Sequence, residues 1–340
     1  MGERSRATTI ADVAAHAGVS QASVSRVLNG KQSVDPIIVH RVQASIAALG
    51  YSPSPAARSL VHGRNDTIAM VVPDLENPLF QGILKGLSLA AASDGYRVLV
   101  ADTAERVDDE EPIAVEARQR CDALVLCAPR MPEQRLRRLV QRVAPVVVVN
   151  RPLPEVDVPI VGVDYVRGIR DLVDHLHELG HRRIAYVSGP ASSASNAERL
   201  RGVADATGAH PDVRIDVVPG GSRLDDGYAV ADAVIAARDD GATAVIAFND
   251  LVALGLMTRL RELGVDVPGD LSVAGFDDVP MASFATPRLT SMSVPRGEIG
   301  GQVWLRLRTL IEGGPVEHSV LYSPRLEARG STAAVVGAVA

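Results

Sequence analysis

TTIADVAAHAGVSQASVSRVLNG, residues 8–30, decides how the chain begins to fold. Thr9 precedes an apolar-periodic run and Asp12 follows it by three positions. At that spacing a hydroxyl and an acid exchange hydrogen bonds with each other's backbone amides, which starts a helix. Ile10, Val13 and Ala14 fall on one face of it. Gly18-Val19 breaks the pattern, as a tight turn between two helices requires. Ser20 can cap a second helix, QASVSRVLN, in which Val24, Val27 and Leu28 point one way. Gln21, Ala22, Ser23, Ser25 and Arg26 are left on the outside. Asp35-Pro36 is a cap followed by a proline at the first helical position, and Leu49-Gly50 ends the third helix.

Three short helices can bury one another, and the second then carries short polar groups and one arginine. Those groups suit major-groove readout: Gln pairs bidentately with adenine, Arg with guanine, while Ser and helix-end amides hold phosphates. A small three-helix adaptor with a merely solvated polar face is the competing reading. Charge favours the first. Residues 1–64 carry seven basic side chains against Glu3, Asp12 and Asp35, a net +4, whereas the whole 340-residue chain carries −6. A basic arm on an acidic body points to a polyanionic partner at the N-terminus alone.

The same run, followed by LGYSPSPAARSL (49–60), resembles the headpiece of the LacI/GalR repressors. The resemblance implies that the second helix enters the major groove, with base contacts from Gln21, Ala22 and Arg26. Thr9, Ser20, Ser23, Ser25, Asn29 and Tyr51 become phosphate or support positions. It also implies a hinge helix over 54–61, capped by Ser54 and begun by Pro55, that wedges Leu60 into the minor groove. Such a helix is too short to persist alone in water, so its ordering couples DNA binding to conformation. Many members of the family carry Asn where this chain has Ser54. The DNA-binding headpiece is expected over 8–62.

Beyond it, apolar runs alternate with amphipathic segments. Strands are predicted at TIAMVVPD (67–74), YRVLVAD (96–102), ALVLCAP (123–129), VVVVN (146–150), RRIAYVS (182–188), AVIAFND (244–250) and SVAGFDD (272–278). Helices are predicted over 78–93, 166–179, 225–238 and 250–263. This alternation is that of parallel sheets covered by helices, and two such sheets in series leave a cleft where ligands of open α/β sheets sit. The fold class expected is therefore an all-α headpiece followed by an α/β core of two parallel-sheet subdomains.

The family resemblance continues through PDLENPLF, VGVDYVRG, LGHRRIAYVSGP, AFNDLVALG, VPGDLSVAGFDD and TPRLTSMSVP. It implies an effector-binding core similar to periplasmic sugar-binding proteins. The chain would cross between subdomains near Asp164, Val294 and Ser323. One subdomain would span 65–164 and 295–322, the other 165–294 and 323–332. Asn249 and Asp277 close strands facing the cleft and can bind hydroxyls, and Arg199 in SNAERLRG matches the family's effector-contacting arginine. Phe80 and Phe276 could offer an apolar face for a ring; Asp164, Tyr165 and Ser195 complete the candidates. Ala197, the short RGVADATGAHPDVRI stretch and Ser222 depart from common family patterns, so no known ligand transfers by name.

No G-x-S-x-G elbow, P-loop or G-x-G-x-x-G occurs, and no catalytic constellation or cofactor site is expected. His175, His177 and His181 scatter around a helix and are not expected to hold a metal. Arg135, Arg137 and Arg138 are expected on a solvated helix face, and DDEE (108–111) at a helix start where acids suit the dipole. Cys121 and Cys127 flank an apolar run and read as buried small hydrophobes. With no signal peptide or membrane span expected, the protein is placed in the cytoplasm. The expectation is a homodimeric repressor of a pseudo-palindromic operator in double-stranded DNA, controlled by a small effector, a sugar or sugar derivative. A nucleobase or nucleoside co-repressor is the alternative effector. A sugar-binding protein of a transporter, with no regulatory role, is the alternative from another class.

Overall fold

The computed structural model describes residues 8–28, 34–51 and 64–335. The chain divides at Asn65/Asp66 into two compact units. The expected hinge helix over 54–61, with Leu60, and Asn29 lie outside the described residues.

The first unit is three helices: α1 (Ile10–Ala17), α2 (Gln21–Leu28) and α3 (Pro36–Leu49). Val13, Ala14, Ala17, Val24 and Val42 form its buried centre, with Ile10, Val27, Leu28, Ile46 and Tyr51 packed around it. Thr9 and Asp12 cap α1 reciprocally: the Thr9 amide donates to Asp12 Oδ2 at 2.8 Å, and the Asp12 amide to Thr9 Oγ1 at 3.3 Å. The turn to α2 rests on Gly18 at φ 64°, a left-handed conformation that a side chain would strain. A Cβ there would also sit 2.5 Å from an Arg41 nitrogen, and that same guanidinium donates to the Ala17 carbonyl. Asp35 caps α3 through the Ile37 amide at 2.8 Å, and Gly50 at φ 56° ends it.

The second unit holds two six-stranded sheets. The first contains β1 (Thr67–Val72), β2 (Arg97–Asp102), β3 (Ala123–Cys127), β4 (Val146–Val149), β5 (Ile160–Val163) and β11 (Ser319–Tyr322). Their spatial order is β11-β5-β4-β3-β1-β2, every pair parallel. The second contains β6 (Arg183–Ser188), β7 (Arg214–Pro219), β8 (Ala244–Ala247), β9 (Ser272–Asp277), β10 (Thr290–Ser293) and β12 (Arg325–Glu327), in the order β12-β10-β9-β8-β6-β7. It is parallel except for β12, which runs antiparallel to β10. The chain passes from one sheet to the other after β5, after β10 and after β11.

Central strands such as β3, β4 and β8 are buried at every residue, because helices cover both sheet faces. Those helices are α4 (Pro78–Ser93), α5 (Val107–Arg120), α6 (Glu133–Arg142) and α12 (Arg296–Ile311) around the first sheet. Around the second lie α7 (Tyr165–Glu178), α8 (Ala194–Ala209), α9 (Leu224–Ala229), α10 (Ala231–Asp239) and α11 (Asp250–Glu262). One apolar cluster draws on both sheets, joining Met70 and Val125 to Tyr186, Ile246 and Phe276. Separate clusters fill the opposite face of each sheet.

Three local readings differ from expectation. The single helix over 225–238 is divided at Val230. Glu110 of the acidic run is buried, its carboxylate accepting from the Arg130 amide at 2.6 Å and the Met131 amide at 2.7 Å, so it braces a loop as well as suiting the dipole. Arg135 and Arg137 are only partly solvated, reaching Asp108, Glu111 and Glu133. Both cysteines are free and buried, and burial pushes each thiol pKa upward.

Candidate functional site

Two regions carry candidate functional residues, one in each unit. In the first unit, α2 presents Gln21, Ala22 and Arg26 to solvent, with Ser20 exposed just before it and Ser23 and Ser25 partly covered. Val24 is buried, so the helix is fixed by its apolar side and offers the opposite one. Ser20 caps the helix: the Ser23 amide donates to Ser20 Oγ at 3.1 Å, and the two hydroxyls lie 3.0 Å apart. Thr9 spends its hydroxyl on Asp12, at 2.7 Å, and stands exposed at the start of α1. Tyr51 is partly buried against the three-helix core. The result is a helix whose outward groups are one guanidinium, one carboxamide, one methyl and several hydroxyls.

In the second unit, a cavity of about 20 Å³ lies where the two sheets' strand ends meet. At its centre is Arg199 of α8, 1 % exposed. Its guanidinium carbon sits 4.0 Å from the Tyr165 ring centroid, 4.3 Å from Phe276 and 4.5 Å from Phe248. Three aromatic faces around a buried cation replace part of the hydration it has lost. Nη1 donates to the Ser195 carbonyl at 3.2 Å, and Nη2 lies 3.6 Å from Asp277 Oδ1, beyond a good hydrogen bond. Arg199 Nε and Asp277 Oδ1 have no hydrogen-bond partner among the described residues. Buried polar atoms left in this state cost free energy unless a ligand or water meets them.

Asp277 closes β9 at φ 99°, Asn150 follows β4 at φ 54° and Ala128 follows β3 at φ 46°. All three line the cavity. Left-handed backbone at three strand ends is a strain held at the site by the surrounding sheets. Burial pushes the Asp277 pKa up to about 7, the Arg199 and Arg296 cations only partly offsetting it. Next to it the fully buried Asp250 accepts from Ser291 Oγ at 2.6 Å and the Val279 amide at 2.7 Å. Burial, and then the Asp277 charge, raise its pKa well above the carboxylate range.

Asn249 caps α11 through the Val252 amide at 2.9 Å and donates to the Ser222 carbonyl at 2.8 Å. Ser222 reaches across to the other subdomain's Glu105 at 3.4 Å. Glu105 holds Arg130 in a two-point ion pair at 2.9 and 3.0 Å. A second crossing contact joins Arg223 to Asp74 at 3.4 Å. These two polar straps cross from one subdomain to the other beside the cavity of about 20 Å³.

Of the effector candidates, the structure brings Phe80, Tyr165, Ser195, Arg199, Asn249 and Asp277 around one cavity. Phe276 is 0 % exposed and lies behind Arg199, 5.4 Å from the Tyr165 ring. Asp164 caps α7 through the Arg167 amide at 3.0 Å and faces a neighbouring cavity instead. Arg130, Asn150, Phe248 and Asn77 line the site without having been singled out from sequence. Asn150 and Phe248 follow apolar strand runs, the signal that did identify Asn249. Arg130 carries no such signal.

The three histidines do not converge. His175 meets Thr332 at 3.1 Å and His181 meets Thr243 at 2.8 Å. His177 instead stacks on His210, centroids 4.2 Å apart, beside Asp212. The ligand-capable atoms of His177, His210 and Asp212 lie within 4.8 Å of one another, with His177 Nε2 3.1 Å from Asp212 Oδ2 and His210 Nε2 2.6 Å from Asp174 Oδ1. Among the described residues no helix is long and apolar enough to cross a membrane.

Comparison with known proteins matches residues 9–54 to the model for bacterial regulatory proteins of the lacI family, and residues 173–332 to a periplasmic binding protein-like domain. The chain is 32 % identical over 334 residues to the HTH-type transcriptional repressor CytR of Escherichia coli (strain K12), covering 97 % of each. It is 34 % identical to the HTH-type transcriptional regulator CelR of Thermobifida fusca, covering 93 % of this chain and 95 % of that one. Among solved structures, the Lac repressor dimer bound to operator and the anti-inducer ONPF superposes with a TM-score of 0.85 at 26 % identity, covering 97 % of this chain and 100 % of that one. The CelR–cellobiose complex gives 0.71 at 31 % identity, covering 95 % and 99 %.

Proposed function

Because the chain belongs to the lacI family of bacterial regulatory proteins, we propose that it is a non-catalytic, homodimeric transcriptional repressor whose hold on an operator is set by a small hydroxylated effector. Residues 8–62 form the operator-binding headpiece, with 54–61 as its hinge. Residues 65–164 with 295–322, and 165–294 with 323–332, form the two subdomains that close on the effector. Gln21, Ala22 and Arg26 read bases from the major groove, and Thr9, Ser20, Ser23, Ser25, Asn29 and Tyr51 hold or support the backbone. Leu60 enters the minor groove.

The observation that carries the effector half is the unfinished pair at the centre of the cleft. Arg199 offers an unused Nε and Asp277 an unused Oδ1, both buried. Adjacent hydroxyls of a sugar can accept from the one and donate to the other, and Phe80 supplies an apolar face. The solved CelR complex contains cellobiose, a ligand of this chemistry. Entry of a ring requires the Ser222–Glu105 and Arg223–Asp74 straps to give way, so occupation changes the angle between subdomains. By linkage, effector and operator then alter each other's affinity by one and the same factor.

Exposed apolar side chains supply a dimer surface. Leu89, Leu99 and Val100 stand out from the first subdomain, and Met281 and Phe284 from the second. Phe284 borders a groove of about 420 Å³ lined by α11 and residues 280–286. The Lac repressor that superposes on this chain is a dimer.

The experiment is a mobility-shift titration of the full chain on its own upstream regulatory region, repeated with a panel of mono- and disaccharides and nucleosides. A sequence-specific shift that a sugar alters supports the reading. A shift altered only by nucleosides replaces the effector class, and no specific shift on any palindrome of that region sinks the regulator.

A further inference from the structure

A second cavity, of about 290 Å³, opens on the outer side of the wall formed by Asn150 and Tyr165, which line both spaces. It lies where the chain crosses from β5 into α7, beside the edge strand β11. Ile160 and Leu321 face it from the first subdomain, Val166 and Glu198 from the second. Ile160, Val163, Val166 and Leu321 give it an apolar surface, while Arg151, Asp164, Glu198 and Arg201 bring charges of both signs to its lining. Leu321 is 63 % exposed although it sits in a strand. Gly162 keeps the floor open: a Cβ there would lie 3.1 Å from Leu321 Cδ2.

Two polar groups on this cavity are not used up by the fold. Arg151 is partly buried, and its one hydrogen bond is Nη2 to the Met131 carbonyl at 3.3 Å. No carboxylate lies within 4 Å of it among the described residues, whereas the neighbouring Arg201 is paired with Glu198 at 2.8 Å. Burial lowers the Arg151 pKa, and the Glu133 and Glu110 charges, neither of them close enough to form an ion pair with it, only partly offset that. Asn150 is 5 % exposed; its Oδ1 accepts from the Val163 amide at 3.2 Å, but its Nδ2 has no partner.

We propose that this hinge-side cavity is a second ligand site, distinct from the effector cleft, that takes a small amphipathic carboxylate. The carboxylate meets Arg151, the strongest unpaired donor at the rim, in the two-point geometry a guanidinium favours. The Asn150 carboxamide serves as a further donor, and an aromatic or branched aliphatic body lies against Ile160, Val166 and Leu321. Because the walls come from both subdomains, a bound acid holds them at the angle seen here. The site therefore acts on the same movement as the effector cleft, and shares with it the wall of Asn150 and Tyr165. Its existence does not depend on the effector's identity.

The test uses the full chain and isothermal titration with phenylacetate, 4-phenylbutyrate, indole-3-acetate and 4-methylvalerate, each beside its neutral amide. Saturable binding at about 1 mM or tighter is expected for at least one acid, with its amide at least about tenfold weaker. Arg151→Gln should weaken the acid about tenfold, a loss near 1.4 kcal/mol by the same conversion. Leu321→Trp, which fills the space from an exposed position, should abolish binding while leaving the melting temperature and operator shift unchanged. Equal binding of acid and amide, binding that survives Leu321→Trp, or no saturable binding by any acid overturns the proposal. Failure of the saccharide titration leaves these outcomes unaffected, so the two readings are separable.

Discussion

Arg199 Nη2 stands 3.6 Å from Asp277 Oδ1 with both side chains 2 % exposed, so a buried cation and a buried acid face each other without closing a hydrogen bond. A fully formed pair would be a structural brace. An open one, with an unused donor on one side and an unused acceptor on the other, is arranged for a third partner. Truncating Asp277 should therefore remove the effector's influence without touching the headpiece. For Asp277→Ala we expect operator affinity in the absence of effector to stay close to that of the parent, and the effector response to vanish. Mobility-shift titrations with and without the active ligand decide it; a normal response would take Asp277 out of the site.

The same residue makes stability depend on pH. Burial raises the Asp277 pKa in the fold to about 7, above its ordinary value, despite the Arg199 and Arg296 charges. Between the ordinary carboxylate range and pH 7 the folded chain therefore holds a proton that the unfolded chain has released. Stability from this group is present at low pH and is lost as pH rises towards 7, the reverse of a salt-bridged aspartate. Asp250 contributes with the same sign. Asp277→Asn should melt higher relative to the parent at pH 8 than at pH 5. Thermal melts across that range check it, and a constant difference would show that Asp277 titrates normally.

The Glu105–Arg130 pair gives a stability prediction. Arg130 is 4 % exposed at its side chain and Glu105 19 %. Glu105→Gln leaves a buried guanidinium without its carboxylate, a loss of about 3–5 kcal/mol for a fully buried pair and at the lower end here, where Glu105 retains some water. Denaturant unfolding of the variant should show it, with Ser222→Ala costing far less because its 3.4 Å contact is long.

How much of this was legible beforehand follows from what each strand is buried against. VVVV of β4 and ALVLC of β3 are covered on both faces and read as continuous apolar runs. TSMS of β10, SVLY of β11 and RLE of β12 are short or polar and give no such pattern. β11 is a strand because Ile160–Val163, far away in sequence, offers it an edge. The site divides the same way. Asn249, Asp277 and Arg199 could be picked out by strand ends or by family pattern. Arg130 and Glu105 meet only because the loops after β3 and β2 are brought together by the first sheet, a placement that no local pattern encodes.

On α2, Arg26 and Gln21 point outward and make separable predictions. Arg26→Ala should cost about 1–3 kcal/mol on the cognate operator and relax discrimination at one base position. Gln21→Ala should do the same at a different position. Ser20→Ala should weaken all sequences alike and reduce the salt dependence little, since its hydroxyl also caps the helix. Binding to a library of single-base operator variants separates the three; uniform loss in Arg26→Ala would reassign it to the phosphate backbone.

Phe284 is 86 % exposed beside Met281, at 43 %, on the rim of the groove between α11 and residues 280–286. A two-fold interface uses each patch twice, so one phenylalanine inserted into the partner's groove is counted from both sides. Burying a phenylalanine side chain is worth about 1.5–3 kcal/mol, hence about 3–6 kcal/mol per dimer. Phe284→Asp forfeits that and adds the cost of drying a carboxylate, so the dimer dissociation constant should rise by at least about a hundredfold. The monomer's fold should be unaffected, since the side chain contributes nothing to its interior, while the melting temperature should fall to the extent that the dimer had stabilised the folded state by mass action. Operator affinity should fall with the dimer, because a single headpiece reaches only one half-site. Sedimentation equilibrium of parent and variant at micromolar concentration measures the first effect and a mobility shift the second. A variant that stays dimeric would move the interface to the Leu89, Leu99 and Val100 face alone.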